Sequence, residues 1–274
     1  MIRILDKGSI NALIVKYLSK ARRGYVSKVP LWQIVNAILY KFKTGVHWSL
    51  LPIKSLITNS KVKYGAIFHH FRKWTLDGSW QRVWEELLQQ YRHLLDMSLA
   101  FIDGTHTVGK RGGQKVAYQG RKKGKTTNTL WLTDRRGMIV SFTPPQSGEH
   151  NDLFGIEEQV KILVKQLKKS NISADGLFLN ADAGFDSASF RNACDHFGII
   201  PNVRANPRRA KYLIEDDVWF DELMYKERFV VERSNAWMDF NRSFLTRFDT
   251  SIQSWTAWHH IFSITQWAKI IAKV

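Results

Sequence analysis

The sequence predicts an α/β fold, a mixed sheet flanked by helices, preceded by a small all-helical N-terminal region. Three observations carry this. Apolar residues recur at helical spacing through about residue 95, short apolar runs punctuated by glycine and proline begin at Leu99, and a long amphipathic stretch separates two of those runs. The 274 residues allow two domains, a helical one over 1–96 and an α/β one over 97–274 that keeps the C-terminal helix. At 44% hydrophobic residues the chain can build a sizeable core, which excludes global disorder.

Each element follows from its residues. Residues 31–40 place Ile34, Ile38 and Leu39 near one face, and Thr44-Gly45 ends that helix. Residues 48–52 read as a turn with apolar anchors. A helix over 63–74 carries Ala66, His69, His70 and Lys73 at helical spacing, and Asp77-Gly78-Ser79 breaks it. Trp84, Leu87, Leu88, Tyr91 and Leu95 form the stripe of the next helix. The region has helix-turn-helix character.

From Leu99 the pattern changes. Residues 99–103 form a short apolar run ending in Asp103. Residues 129–134 and 138–142 read as a hairpin joined at Arg135-Arg136-Gly137. An amphipathic helix over 151–169 uses Ile156, Val160, Leu163, Val164 and Leu167. Residues 177–182 are a strand ending in Asp182, followed by a helix near 187–197 and a strand at 199–203. The chain is then basic and irregular over 204–211, and helical again through Glu232. Residues 254–274 are rich in Trp and Ile but interrupted by His259, His260, Gln266 and Lys269, which suits an amphipathic packing helix and not a membrane span. The N-terminus lacks the apolar core of a signal peptide. One cysteine, Cys194, rules out an intrachain disulfide and fits a reducing cytosol.

Charge points to the partner. The chain has 41 Lys and Arg against 24 Asp and Glu, a net charge of +17 and a pI near 10.0. Residues 1–95 alone hold 16 basic residues against 4 acids. Such an excess suits a polyanion, nucleic acid above all. The helix over 63–74 presents Arg72 and Lys73. Residues 110–125 hold no acid; they carry Arg121, Lys122, Lys123 and Lys125 besides Lys110, Arg111 and Lys115, with four glycines between. A further cluster comprises Arg204, Arg208, Arg209 and Lys211. Charge runs are more often solvated faces, so these are candidates for contacts to the phosphate backbone, with no base reading implied.

The acids point to the chemistry. Asp103 precedes Gly104, Asp182 precedes Ala183-Gly184, and Glu232 lies in a helix-like run, at spacings of 79 and 50 positions. A lone Asp at a strand end is more often a cap. Three carboxylates from two strands and a helix are also what a two-metal phosphoryl-transfer site requires, with Mg²⁺ preferring oxygen ligands. With one cysteine and no ligand spacing among the histidines, there is no zinc pattern. Tyr225 and Arg228 precede Glu232 by seven and four positions, on the same face of a continuous helix. Arg228 could orient the carboxylate or grip a phosphate.

These residues resemble bacterial insertion-sequence transposases of the Asp-Asp-Glu type, in the group named after insertion sequence five. Tyr225, Arg228 and Glu232 match that group's Tyr-x2-Arg-x3-Glu-x6-Lys signature in register. Its final Lys falls on Asp239 here, with Arg233 and Arg242 as nearby replacements. Residues 181–187 resemble the group's Asp-x-Gly-Tyr/Phe-Asp block, 102–106 its first acid block, and 44–52, 68–74 and 78–80 its helical N-terminal region. The resemblance implies a ribonuclease H-like catalytic domain. It implies Asp103, Asp182 and Glu232 as ligands of two Mg²⁺ ions, with Mn²⁺ as a substitute. It implies a cytoplasmic, nucleoid-associated enzyme that binds terminal inverted repeats of double-stranded DNA, cleaves at the element's ends and transfers strands into target DNA. Work as a homo-oligomer on DNA follows, because two ends are synapsed. A hydrolytic nuclease of the same fold and an inactive DNA-binding regulator are the alternatives.

Overall fold

The computed structural model describes residues 1–20, 27–58, 61–206 and 219–271. In chain order come α1 (Lys7–Ser9), α2 (Leu31–Thr44), α3 (Ile53–Leu56), α4 (Tyr64–Leu76) and α5 (Ser79–Tyr91). Next are β1 (Ala100–Gly109), β2 (Ala117–Gln119), β3 (Gly124–Thr133), β4 (Ile139–Phe142), β5 (Gln146–Ser147) and α6 (Ile156–Lys169). They are followed by β6 (Phe178–Ala181), α7 (Ala188–His196), β7 (Ile200–Val203), α8 (Glu222–Lys226) and α9 (Phe229–Asp239). The last helices are α10 (Arg242–Leu245) and α11 (Ile252–Ile271).

Two compact units result, one of residues Met1–Gln90 with Met238–Val274 and one of Tyr91–Trp237. The sequence expectation put residues 238–274 with the α/β part. The structure differs because α11 is not amphipathic in place. From Ser254 to Ala268 every residue but Thr256 is buried, and a helix buried around its circumference needs neighbours on every side. The first unit provides them. The Trp258 ring stacks on Phe71 at 4.4 Å between centroids and on Phe42 at 5.6 Å, and His260 meets Trp84 at 5.5 Å. In α2 the helix ends on Gly45, whose φ of 68° is the left-handed cap conformation that glycine adopts without strain. The α4–α5 junction turns on Gly78, with Asp77 accepting from the amide of Ser79.

The second unit is built on one sheet, ordered β2-β3-β1-β6-β7, with β4 and β5 also on β3. β3 is antiparallel to β1, whereas β6 and β7 run parallel to it and to each other. This mixed sheet flanked by helices is the ribonuclease H-like arrangement. On β4, Ser141 Oγ donates to the Leu163 carbonyl and to Gln166 Oε1, which ties α6 to the sheet.

Three expectations change in detail. β1 does not end at Asp103 but continues to Gly109, because β-branched residues on both strands extend the β1–β3 ladder from Phe101↔Thr133 to Val108↔Thr126. The basic stretch 110–125 is partly a hairpin, with β2 on β3 from Ala117↔Thr126 to Gln119↔Gly124 and Lys123 at a φ of 48° in the turn. The single helix expected through Tyr225 and Glu232 is broken between α8 and α9. There the Arg228 amide donates to Tyr225 and that of Val231 to Arg228, bonds one residue tighter than an α-helix makes. No helix among the described residues is long and apolar enough to cross a membrane.

His259 and His260 are enclosed in α11, and burial pushes each imidazole down to about 3. The unfolded chain, near 6.5, binds protons there that the fold refuses, so stability is full above 6.5 and declines as pH falls towards 3. Denaturant melts between pH 4 and 7 should show that slope, and His260→Gln should reduce it by about one proton.

Candidate active site

Asp103 sits within β1, at the centre of the sheet. Its carboxyl is pushed up to about 6, chiefly by burial. A hydrogen bond from Asn235 opposes that push, and the charges of Asp152 and Asp182 add to it. Asn235 Nδ2 donates to Asp103 Oδ2 at 3.1 Å, and Thr105 Oγ1 donates to Asn235 Oδ1 at 3.2 Å. Asp103 and Thr105 alternate onto one face of β1, the face that receives α9.

α9 is fixed there by packing and by a turn. Val230 and Val231 join Leu99 and Phe101 in one buried cluster, with Phe178 and Met224 against it. The β3–β4 turn braces the same segment. Arg135 pairs with both oxygens of Glu227 at 2.6 and 2.8 Å, Arg233 Nη2 donates to the Arg136 carbonyl at 3.0 Å, and Ser234 Oγ donates to that of Gly137 at 3.1 Å. Glu232 is in the first turn of α9, exposed, one turn before Asn235 and on the same side of the helix.

Asp182 follows β6 directly. Its Oδ1 accepts from the Gly184 amide at 2.8 Å, so it caps the turn 183–185 as well as standing close enough to Asp103 to act on its charge. Asp186 in the same block has a different task. It is buried, paired with Arg191 at 2.8 Å, and accepts from the Asn206 amide at 2.9 Å.

Sequence reasoning missed Asp152 and Asn235. Asp152 comes to the other face of β1, where a Cβ on Gly104 would lie 1.9 Å from its Oδ1. Asn128 Nδ2 holds that oxygen at 2.7 Å, and His106 Nε2 stands 3.9 Å away. Gly104 beside an acid was the only trace of this in the sequence. Asn235, three residues after Glu232, was findable from helical spacing.

The other expected residues are placed as follows. Tyr225 lies in α8 and Arg228 in the turn after it, with Arg228 Nη1 donating to Tyr225 Oη at 3.3 Å. The Arg204 guanidinium is 5.0 Å from the Tyr225 ring centre and that of Arg228 5.3 Å. Arg121, Lys122 and Lys123 are exposed in the β2–β3 turn, and Lys125 is exposed at the start of β3. Lys73 and Arg72 are half-buried on α4, where Arg72 Nη1 donates to Ser254 Oγ at 3.1 Å. Arg208, Arg209 and Lys211 lie outside the described residues.

The site therefore gathers acids from separate segments around the central strand. Among the described residues, no three His, Cys, Asp or Glu side chains stand together as a ready metal cage. A hard divalent ion does not require one, since Mg²⁺ is commonly bound by one or two carboxylates together with waters and substrate phosphates. The oxygen-only donors Asp103 and Asp182, with their mutual charge acting on a buried carboxyl, fit such an ion in chemistry.

The mixed sheet flanked by helices defines a ribonuclease H-like domain. The chain belongs to the DDE transposase family: residues 95–262 match the family model "Transposase DDE domain", and residues 10–84 match "Putative transposase of IS4/5 family". It is a DNA transposase, and the family's chemistry uses a divalent metal ion. Among solved structures it is similar to a Mos1 transposase paired-end complex with the left transposon end. The identity is 13% over 93% of this chain and 82% of that one, with a TM-score of 0.30. It is also similar to the catalytic domain of Mos1 mariner transposase, at 13% identity over 69% of this chain and 89% of that one, TM-score 0.30. No curated protein matches.

A methyl group at position 104 has no room beside Asp152. Gly104→Ala should destabilise the fold by about 1–3 kcal/mol in denaturant melts, and Asp152→Ala in the same chain should recover part of that loss.

Proposed function

We propose that this transposase binds the terminal inverted repeats of an insertion sequence, cleaves at the element's ends, and joins the freed 3′-hydroxyl to target DNA. Asp103, Asp182 and Glu232 would hold two Mg²⁺ ions, with Mn²⁺ able to replace them. The observation that carries this reading is the hydrogen bond from Asn235 to Asp103. It anchors α9 beside β1, one turn from Glu232, while the charge of Asp182 reaches the same carboxyl. When bound, the ions supply activation of the attacking oxygen and stabilisation of the leaving one.

The remaining work belongs to side chains. Asn235 keeps Asp103 Oδ2 fixed in direction. Arg228, steadied against Tyr225, offers its guanidinium to a phosphate. Arg121, Lys122, Lys123 and Lys125 attract the backbone without reading bases, and Arg204 and the half-buried Lys73 of α4 do the same. Residues 1–96 act as the end-binding domain; Arg208 and Arg209, outside the described residues, are further candidates on charge alone. The enzyme works in the bacterial cytoplasm at the nucleoid, as a homo-oligomer once two ends are joined.

Purified protein with element-end DNA and Mg²⁺ tests the reading. Asp182→Asn and Glu232→Gln should each lower cleavage and joining by about 100-fold or more, beyond the 10–100-fold typical of outer-shell partners. Parent-like rates in both would refute the assignment, and cleavage without joined product would favour the nuclease. Lys122→Ala with Lys123→Ala should weaken binding evenly across DNA sequences. In a salt titration the log–log slope should flatten by about one per lysine.

A further inference from the structure

Two asparagines in the sheet interior are unexplained by the carboxylate site. Asn180 on β6 and Asn202 on β7 are both 0% exposed and are directly paired neighbours in the parallel ladder. An amide buried so deeply is costly unless its donors and acceptor are all met. Here they are. Asn202 Nδ2 donates to Asn180 Oδ1 at 2.8 Å and to the Asp221 carbonyl at 2.9 Å, and Asn202 Oδ1 accepts from the Asp221 amide at 2.9 Å. Asn180 Nδ2 donates to the Met224 carbonyl at 2.6 Å.

Three of these four bonds go to main-chain atoms of one short segment, the entry to α8. Asp221 then caps α8, its Oδ1 accepting from the Met224 amide at 2.9 Å. That segment leads into Tyr225, Arg228 and Glu232. The strand that reaches out to it leads into Asp182. Asn180 stands two residues before Asp182, the spacing at which side chains share a face of a strand. Apolar residues at 180 and 202 could fill the same space, but they could not fix which carbonyl and which amide of 221–224 lie over the strand. A buried polar network bonded to those particular main-chain atoms specifies that register.

We propose that Asn180 and Asn202 are positioning residues for the reaction: a paired-amide clamp that sets the register of the Tyr225–Glu232 segment against the strand carrying Asp182. The clamp touches neither DNA nor metal and works through the residues it places. The inference rests on the carboxylate assignment above.

The test uses the full chain with element-end DNA. Asn180→Leu with Asn202→Leu removes both amides together and leaves neither unpaired. The freed groups of Asp221 and Met224 are half-buried and can reach water. Asn180→Ser is a milder variant that deletes the bond to Met224, and it provides the reading if the double variant does not fold. We expect folded protein with parent-like end-DNA affinity and faster amide exchange confined to residues 221–226. Single-turnover cleavage should fall by about 100-fold, the scale of a 1 Å misplacement, and half-maximal cleavage should need more Mg²⁺. A role in folding alone would lower the melting temperature and leave the rate and Mg²⁺ dependence of the folded fraction unchanged, and that result overturns the clamp. Asp182→Asn and Glu232→Gln, run in parallel, judge the carboxylate assignment separately. Parent-like rates there sink that assignment, whereas parent-like rates in the asparagine variants sink only the clamp.

Discussion

The second unit depends on one docking, that of α9 onto the central strand. The contact is graded. Below, Val230 and Val231 bury against Leu99 and Phe101; above, Asn235 meets Asp103 and Thr105. The apolar part provides the drive, at roughly 25 cal/mol per Å² removed from water. The polar part gives the direction, because an acid inside a sheet is tolerated only with a partner aimed at it. Without this docking, Glu232 would belong to a helix with no defined relation to β1. The turn at Arg135–Gly137 also holds the N-terminal half of this helix and Glu227 just ahead of it, so a surface hairpin takes part in placing a candidate catalytic group.

The electrostatics of this unit are divided. Around β1, Asp152 and Asp182 raise the carboxyl of Asp103, a local excess of negative charge in a strongly basic chain. At the β2–β3 turn, Arg121, Lys122 and Lys123 are exposed. A polyanionic substrate is drawn by the second feature and is repelled by the first until a cation intervenes. Under the proposed function, binding and metal-dependent chemistry fall to different residues.

Much of this was legible in the sequence, and the reasons differ by residue. Asp103, Asp182 and Glu232 stood out because each follows an apolar run or sits in a patterned helix, and the Tyr225–Arg228–Glu232 spacing tied the last of them to a known signature. The extent of β1 was not legible, because Thr105 and Thr107 join the strand only through their partners on β3. Asp152 and Asn235 act across the fold, and Asn235 bonds a residue 132 positions away. Asn180 and Asn202 were visible as polar residues inside apolar runs, but only the parallel pairing of β6 and β7 makes them neighbours. The burial of α11 on every side was not legible for a related reason. Its histidines and glutamine suggested a polar face, yet the surrounding aromatic rings bury them.

The discontinuity of the helical unit has a consequence for synthesis. Residues 1–90 leave the ribosome first, but the helix carrying Trp255, Trp258 and Trp267 is translated only after the entire α/β unit. The side chains of Phe42, Phe71 and Trp84 that pack against it lack this partner during that interval. Domains fold as units in the order they emerge, so the α/β unit is the first that can finish. The unit with the greater positive charge closes last. A nascent chain thus has its acid-bearing sheet in place before its N-terminal helices are complete.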